Sequence, residues 1–228
     1  MYIDWYYIVL VMPAMLLAFY AQFKVNSTFN KYRSVGNKKH LTGAQVARKI
    51  LDMNGLQNVA VESVAGDLTD HYDPRSNVVR LSDATYGSTS VGAIGVAAHE
   101  VGHAIQHAQS YVPIKVRNAV VPVAQIGSWV AWPLALIGFF MGSENLVVAG
   151  IILFSAVVLF QLVTLPVEFN ASSRALKTLD NYGILDGEEL KASRKVLSAA
   201  AMTYVASAAV AIANLLRLVF LFSGRRND

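Results

Sequence analysis

The sequence has no cysteine in 228 residues. That excludes disulfides, thiolate metal ligands and a cysteine nucleophile, and leaves histidine, aspartate and glutamate as the candidate metal ligands. Charge is scarce as well: Asp, Glu, Lys and Arg make up 15% of the chain, where soluble domains carry about 25%. Hydrophobic residues reach 54% and mean hydropathy is +0.42, so the deficit of charge points to a lipid bilayer as a partner. The net charge is only +4, and basic residues are not interleaved with aromatic ones in the manner of a nucleic-acid surface. Nucleic acid is therefore not expected as a partner; an excess of Lys and Arg at a membrane surface accounts for the balance.

Long uncharged runs are what the chain has instead. Residues 5–23 form the first, 19 positions long, which as a helix approaches the roughly 30 Å of a hydrocarbon core. No basic residue precedes it and no small-residue cleavage site closes it, so it reads as a retained anchor rather than a secretory signal. Lys24, Lys31, Arg33, Lys38, Lys39, Arg48 and Lys49 follow, and the positive-inside rule keeps such a cluster cytoplasmic, with the N-terminus outside. Two more runs, residues 119–141 and 146–167, are separated by a minimal turn at Ser143, Glu144 and Asn145 and read as a transmembrane hairpin. Arg174, Lys177, Lys191, Arg194 and Lys195 mark the next segment as cytoplasmic too. Within it, Asp186 with Glu189 has the spacing of a capping box, opening a helix that runs into the last apolar run. Residues 199–222 are apolar but Ala-rich, and they contain Asn214 and Arg217. An intramembrane arginine faces protein, water or the interface, or snorkels to the helix end beside Arg225 and Arg226. A fourth span would put that basic tail outside, against the charge rule.

Between the first run and the hairpin the pattern changes. Thr42 with Gln45 forms a capping-box signature, Val46, Ile50 and Leu51 give an apolar helical stripe, and Gly55 ends it. Residues 59–64 and 77–82 read as two short strands joined by a polar turn over residues 67–76. Such a strand beside an active helix is able to pair with an extended peptide, or equally to do no more than support that helix. His71 and Tyr72 fall in the connecting segment; either is able to donate to an oxyanion, but a surface polar role is expected.

Residues 91–107, with Ser90 as a candidate N-cap, carry H-E-V-G-H at positions 99–103. On a helix, His99 and His103 share a face about 6 Å apart along the axis, a spacing that lets two imidazole nitrogens converge on one zinc ion. Glu100, one position on, is placed to act as general base and acid for a water that zinc activates. The alternative is a buried helix whose histidines find ordinary hydrogen-bond partners. Unpaired polar groups among Ala97, Ala98, Gly102 and Ala104 would however be costly.

A catalytic zinc wants three protein ligands and an open position. The long zincin pattern would need Gly at 106 and His at 109; Gln106 and Gln109 stand there instead, which excludes it. His107 is too far along the helix and is expected at the surface or behind the ligands. Glu168, at the edge of the third run within P-V-E-F-N-A-S, is the best remaining candidate, the alternative being a solvated charge at the lipid boundary. Asn170 and Ser172 are able to orient ligands from behind.

The motifs A-A-H-E-V-G-H-A-I-Q and P-V-E-F-N-A-S, with Y-D-P-R-S-N-V-V-R-L-S upstream, resemble the bacterial membrane-bound neutral zinc metallopeptidases, the YugP-like group, over nearly the whole chain. The resemblance implies a gluzincin-type site with one catalytic zinc, His99, His103 and Glu168 as ligands and Glu100 as general base and acid. It also implies a peptidase region facing the cytoplasm from a multi-pass anchor in the cell membrane. Substrates are not implied by it; the favoured reading is a zinc endopeptidase whose protein or peptide substrate is a membrane or membrane-proximal protein.

The expected fold is an α+β membrane protein, mostly helical, with three to four transmembrane helices and a small zincin-like domain holding a short sheet. Its expected parts are an N-terminal transmembrane anchor (1–23), a cytoplasmic zincin-like region with the H-E-V-G-H helix (24–118) and a transmembrane hairpin (119–167). A cytoplasmic helical region with the third ligand (168–198) and a C-terminal transmembrane or membrane-embedded helix (199–228) complete it. Two other functions compete. An intramembrane zinc protease would need the pair near mid-bilayer, but only eight uncharged residues, 91–98, lead up to His99. A non-catalytic scaffold with structural zinc would normally have four protein ligands and no use for Glu100.

Overall fold

The computed structural model describes residues 4–223. Four of its helices are long and apolar enough to cross a membrane, at Tyr7–Tyr32, Val112–Met141, Glu144–Asn181 and Gly187–Phe222. With a three-stranded sheet in addition, the chain is an α+β membrane protein. A π-helical turn, Tyr7–Val11, leads into α1 (Met12–Tyr32). There follow α2 (Gly43–Met53), β1 (Ala60–Val64), β2 (His71–Asp73), β3 (Val78–Ser82), the short α3 (Asp83–Tyr86) and α4 (Val91–Ala108). The chain then continues through α5 (Val112–Met141), α6 (Glu144–Asn181) and α7 (Gly187–Ser223).

The chain divides into two compact units. One gathers Met1–Gln22, Val112–Pro166 and Thr203–Asp228. Its buried cluster of Ala131, Ala135, Phe154, Val158, Ala211 and Leu218 packs small against large side chains, while Trp129 and Phe140 stay exposed, as a lipid-facing surface requires. The connection between α5 and α6 is shorter than expected: Glu144 and Asn145 already belong to α6. Gly142 makes the turn at φ +68°, a left-handed conformation that favours glycine.

Arg217 does not snorkel. It donates from Nε and Nη2 to Asp4 Oδ2 at 2.9 and 2.7 Å, both side chains being nearly buried. Its guanidinium also stacks 5.0 Å from the Tyr7 ring and 4.8 Å from the Trp132 ring. Asp4 in turn accepts the Tyr7 N–H, so one carboxylate caps the first helix and neutralises an arginine of the last. Arg225 and Arg226 lie outside the described residues.

The other unit gathers Phe23–Tyr111 and Val167–Met202. Its core brings together Val46, Ile50 and Leu51 of α2, Val79 and Leu81 of β3, Ile94 and Val101 of α4, and Leu179, Ile184 and Leu185. Thr42 and Gln45 form the full capping box of α2. The sheet order is β1-β3-β2, with β1 parallel and β2 antiparallel to β3. The expected turn over residues 67–76 thus contains a strand, whose three residues are too few to show alternation. Nor do Asp186 and Glu189 exchange a capping box: Glu189 Oε1 accepts the Lys38 N–H at 2.7 Å, and Asp186 Oδ1 pairs with Lys38 Nζ at 3.1 Å. These acids tie the start of α7 to the segment after α1.

Candidate metal centre

The apolar run of α4 buries the helix almost completely. Ser90 caps it by accepting the Ala93 N–H at 3.1 Å. On this rigid element His99 and His103 come together as the four-residue spacing requires, their rings edge to face with centroids 4.7 Å apart. Their Nε2 atoms lie 3.1 Å from each other. Glu168 arrives from α6, which continues without a break through Pro166. Its Oε2 stands 3.2 Å from His99 Nε2 and 3.5 Å from His103 Nε2.

Two imidazole nitrogens and a carboxylate oxygen face one point, and the trio is almost enclosed, with Glu168 only 6% exposed. Burial opposes a charge on His103. Its hydrogen bond to Glu168 and the Glu100 and Glu168 carboxylates outweigh that and hold its pKa above the usual histidine value. The donor set also fits zinc. Tetrahedral ligands at about 2.0–2.1 Å from a zinc ion stand about 3.3 Å from one another, and the three observed separations bracket that edge. Nitrogen and carboxylate oxygen are donor types zinc accepts.

Close approach of the two helices makes the meeting possible. A Cβ at Gly102 would lie 2.7 Å from the Ala171 carbonyl oxygen, so glycine inside H-E-V-G-H is a packing requirement. Behind the trio, His99 Nδ1 meets Ser172 Oγ at 3.1 Å and His103 Nδ1 meets Gln106 Oε1 at 3.0 Å. Asn170 does not touch either imidazole; its Oδ1 accepts from Gln106 Nε2 at 3.0 Å and from Arg174 Nε at 2.7 Å.

Glu100 reaches the sheet. Its Oε2 accepts the backbone N–H of Tyr72 at 3.1 Å. Tyr72 is therefore not a surface residue of a loop but a half-buried member of β2, its phenol donating to Asn77 Oδ1 at 3.1 Å. His107 stays exposed, its ring 5.9 Å from that of Tyr72. Sequence reasoning named Tyr72 and Gln106 but gave neither the contact it makes here, the Tyr72 N–H to Glu100 and the Gln106 oxygen to His103. Gln106 carried a signal, since it follows His103 by three positions and so lies on the same helical face; Tyr72 carried none.

A family model described as "Putative neutral zinc metallopeptidase" matches residues 7–223. A relative from Bacillus subtilis (strain 168), described as "Putative membrane protease YugP", is 52% identical over 222 residues, covering 97% of this chain and 99% of the relative. No solved structure matches the chain significantly.

Proposed function

This chain belongs to the neutral zinc metallopeptidase family, and on that basis we propose a membrane-anchored zinc endopeptidase. It hydrolyses peptide bonds of membrane or membrane-proximal proteins at the cytoplasmic face. The observation that carries this reading is the convergence of His99 Nε2, His103 Nε2 and Glu168 Oε2 within 4.8 Å of one another. In this gluzincin-type arrangement those three side chains would hold the metal. A zinc ion bound there supplies Lewis acidity, lowering the pKa of water and polarising the scissile carbonyl.

Glu100 is the general base and acid. The Tyr72 N–H fixes one carboxylate oxygen, which leaves the other to take the proton of the attacking water and deliver it to the leaving amine nitrogen. Ser172 and Gln106 hold the two imidazoles from behind, so that neither ring swings as the substrate enters. Cytoplasmic orientation is supported by the basic residues from Lys24 to Lys49 and from Arg174 to Lys195, which flank the uncharged runs.

The test is proteolysis of a membrane-protein substrate by the purified, detergent-solubilised chain. Cleavage should require zinc, stop on chelation and return when zinc is restored. It should fall about 10³-fold or more in Glu100→Gln, the loss expected when a general base is removed from a metal-assisted hydrolysis. Cleavage that survives this substitution contradicts the mechanism.

A further inference from the structure

Gln106 is wholly buried, and the orientation of its amide is forced. Arg174 has donors only, so its Nε contact of 2.7 Å requires that Asn170 present Oδ1. That same oxygen lies 3.0 Å from Gln106 Nε2, and the Val167 carbonyl oxygen lies 2.8 Å from it. Both neighbours are acceptors, so the Gln106 NH₂ group must face them. Reversing the amide would set its oxygen against two other oxygens in a dry interior, where an unpaired polar group costs heavily. Gln106 Oε1 is thereby aimed at His103 Nδ1, 3.0 Å away, and can only accept.

We propose that Gln106 is a positioning residue that selects the tautomer of His103, keeping the proton on Nδ1 so that Nε2 offers its lone pair to the metal. Orientation passes one way, from Arg174 through Asn170 and Gln106 to the imidazole, each step set by which partner is able to donate. His99 has no such device. Its Nδ1 faces the Ser172 hydroxyl, which donates or accepts equally well, while in the metal-free chain the Glu168 carboxylate, 3.2 Å from its Nε2, favours a proton there. The inference rests on the zinc reading above for its purpose, but the tautomer itself is a property of the metal-free chain.

Two measurements test it. The first is a long-range ¹H–¹⁵N spectrum of the metal-free, ¹⁵N-histidine-labelled protein in detergent, at a pH where His103 is neutral. The native protein should show His103 protonated on Nδ1. Gln106→Leu should lose that preference and Ser172→Ala should keep it. The second is Zn²⁺ affinity by chelator competition, where Gln106→Leu should weaken binding about 10- to 100-fold. Asn170→Asp, which keeps an acceptor oxygen towards both Gln106 and Arg174, should keep the Nδ1 preference and bind zinc close to the native affinity. A native His103 protonated on Nε2 overturns the proposal, and so does a folded Gln106→Leu that binds zinc as the native chain does. If Gln106→Leu fails to fold, the native spectrum decides. A native chain that binds no zinc would sink the metallopeptidase reading, while the spectrum of the metal-free protein would still decide for or against the relay.

Discussion

Gly102 of α4 faces the main chain of Ala171 of α6 with no room for a methyl group: an added Cβ would stand 2.7 Å from the Ala171 carbonyl oxygen. Backbone cannot move aside as a flexible side chain can, so the helices themselves would have to part. Gly102→Ala should lower unfolding stability by about 1–3 kcal/mol, the usual cost of overpacking. It should also weaken zinc binding, because Glu168 lies one turn from Ala171 on the same helix. Gly95→Ala is the comparison. There the new Cβ meets Ser193 Cβ at 3.2 Å, a contact that a shift of a few tenths of an ångström relieves. Chemical denaturation in detergent should find the Gly95 variant the more stable of the two.

Asp4 and Arg217 form a nearly buried ion pair in a lipid-facing unit. Removing one partner strands the other charge, so Asp4→Asn or Arg217→Gln alone should cost about 3 kcal/mol or more. The double variant should recover part of that, since no charge is left unpaired. A double-mutant cycle on unfolding free energies measures the coupling; strictly additive losses would mean that the pair does not act as a pair.

Asp73 closes the turn between β2 and β3. It accepts from Ser76 Oγ, the Arg75 N–H and Arg80, and these hold its pKa well below the usual carboxylate range. A carboxylate depressed on folding contributes stability that is complete above its unfolded pKa of about 3.9 and is lost as pH falls towards the folded value. The native chain should therefore be more stable than Asp73→Asn at neutral pH, and the gap should narrow below about pH 4. Unfolding midpoints of both proteins between neutral and acid pH check this; a gap that widens in acid would reverse the sign.

Local patterns were legible in the sequence, and so was the grouping of the candidate site's residues. The imidazole pair follows from four residues on one helix, the Thr42 capping box from two residues three apart, and the spans from runs too long and uncharged for a soluble core. Glu168 could be singled out because a hairpin returns the chain to the side it left, but its approach to His99 depends on the packing of Gly102 against Ala171, which no local pattern encodes. Strand β2 escaped because His71, Tyr72 and Asp73 are held by pairing to β3 rather than by their own propensity. The partner of Arg217 escaped for a similar reason: it lies 213 positions away. Asp186 and Glu189 show the opposite failure, a good local signature overridden by Lys38.

The sharpest test of the zinc site is the metal content of three purified proteins, the native chain, Glu168→Ala and Glu100→Gln, after dialysis against a weak chelator. One zinc per chain is expected in the native protein and in Glu100→Gln, and a near-complete loss in Glu168→Ala, whose removed carboxylate oxygen stands 3.2 Å from His99 Nε2. Stoichiometric zinc in Glu168→Ala, at native affinity, would contradict the three-ligand site.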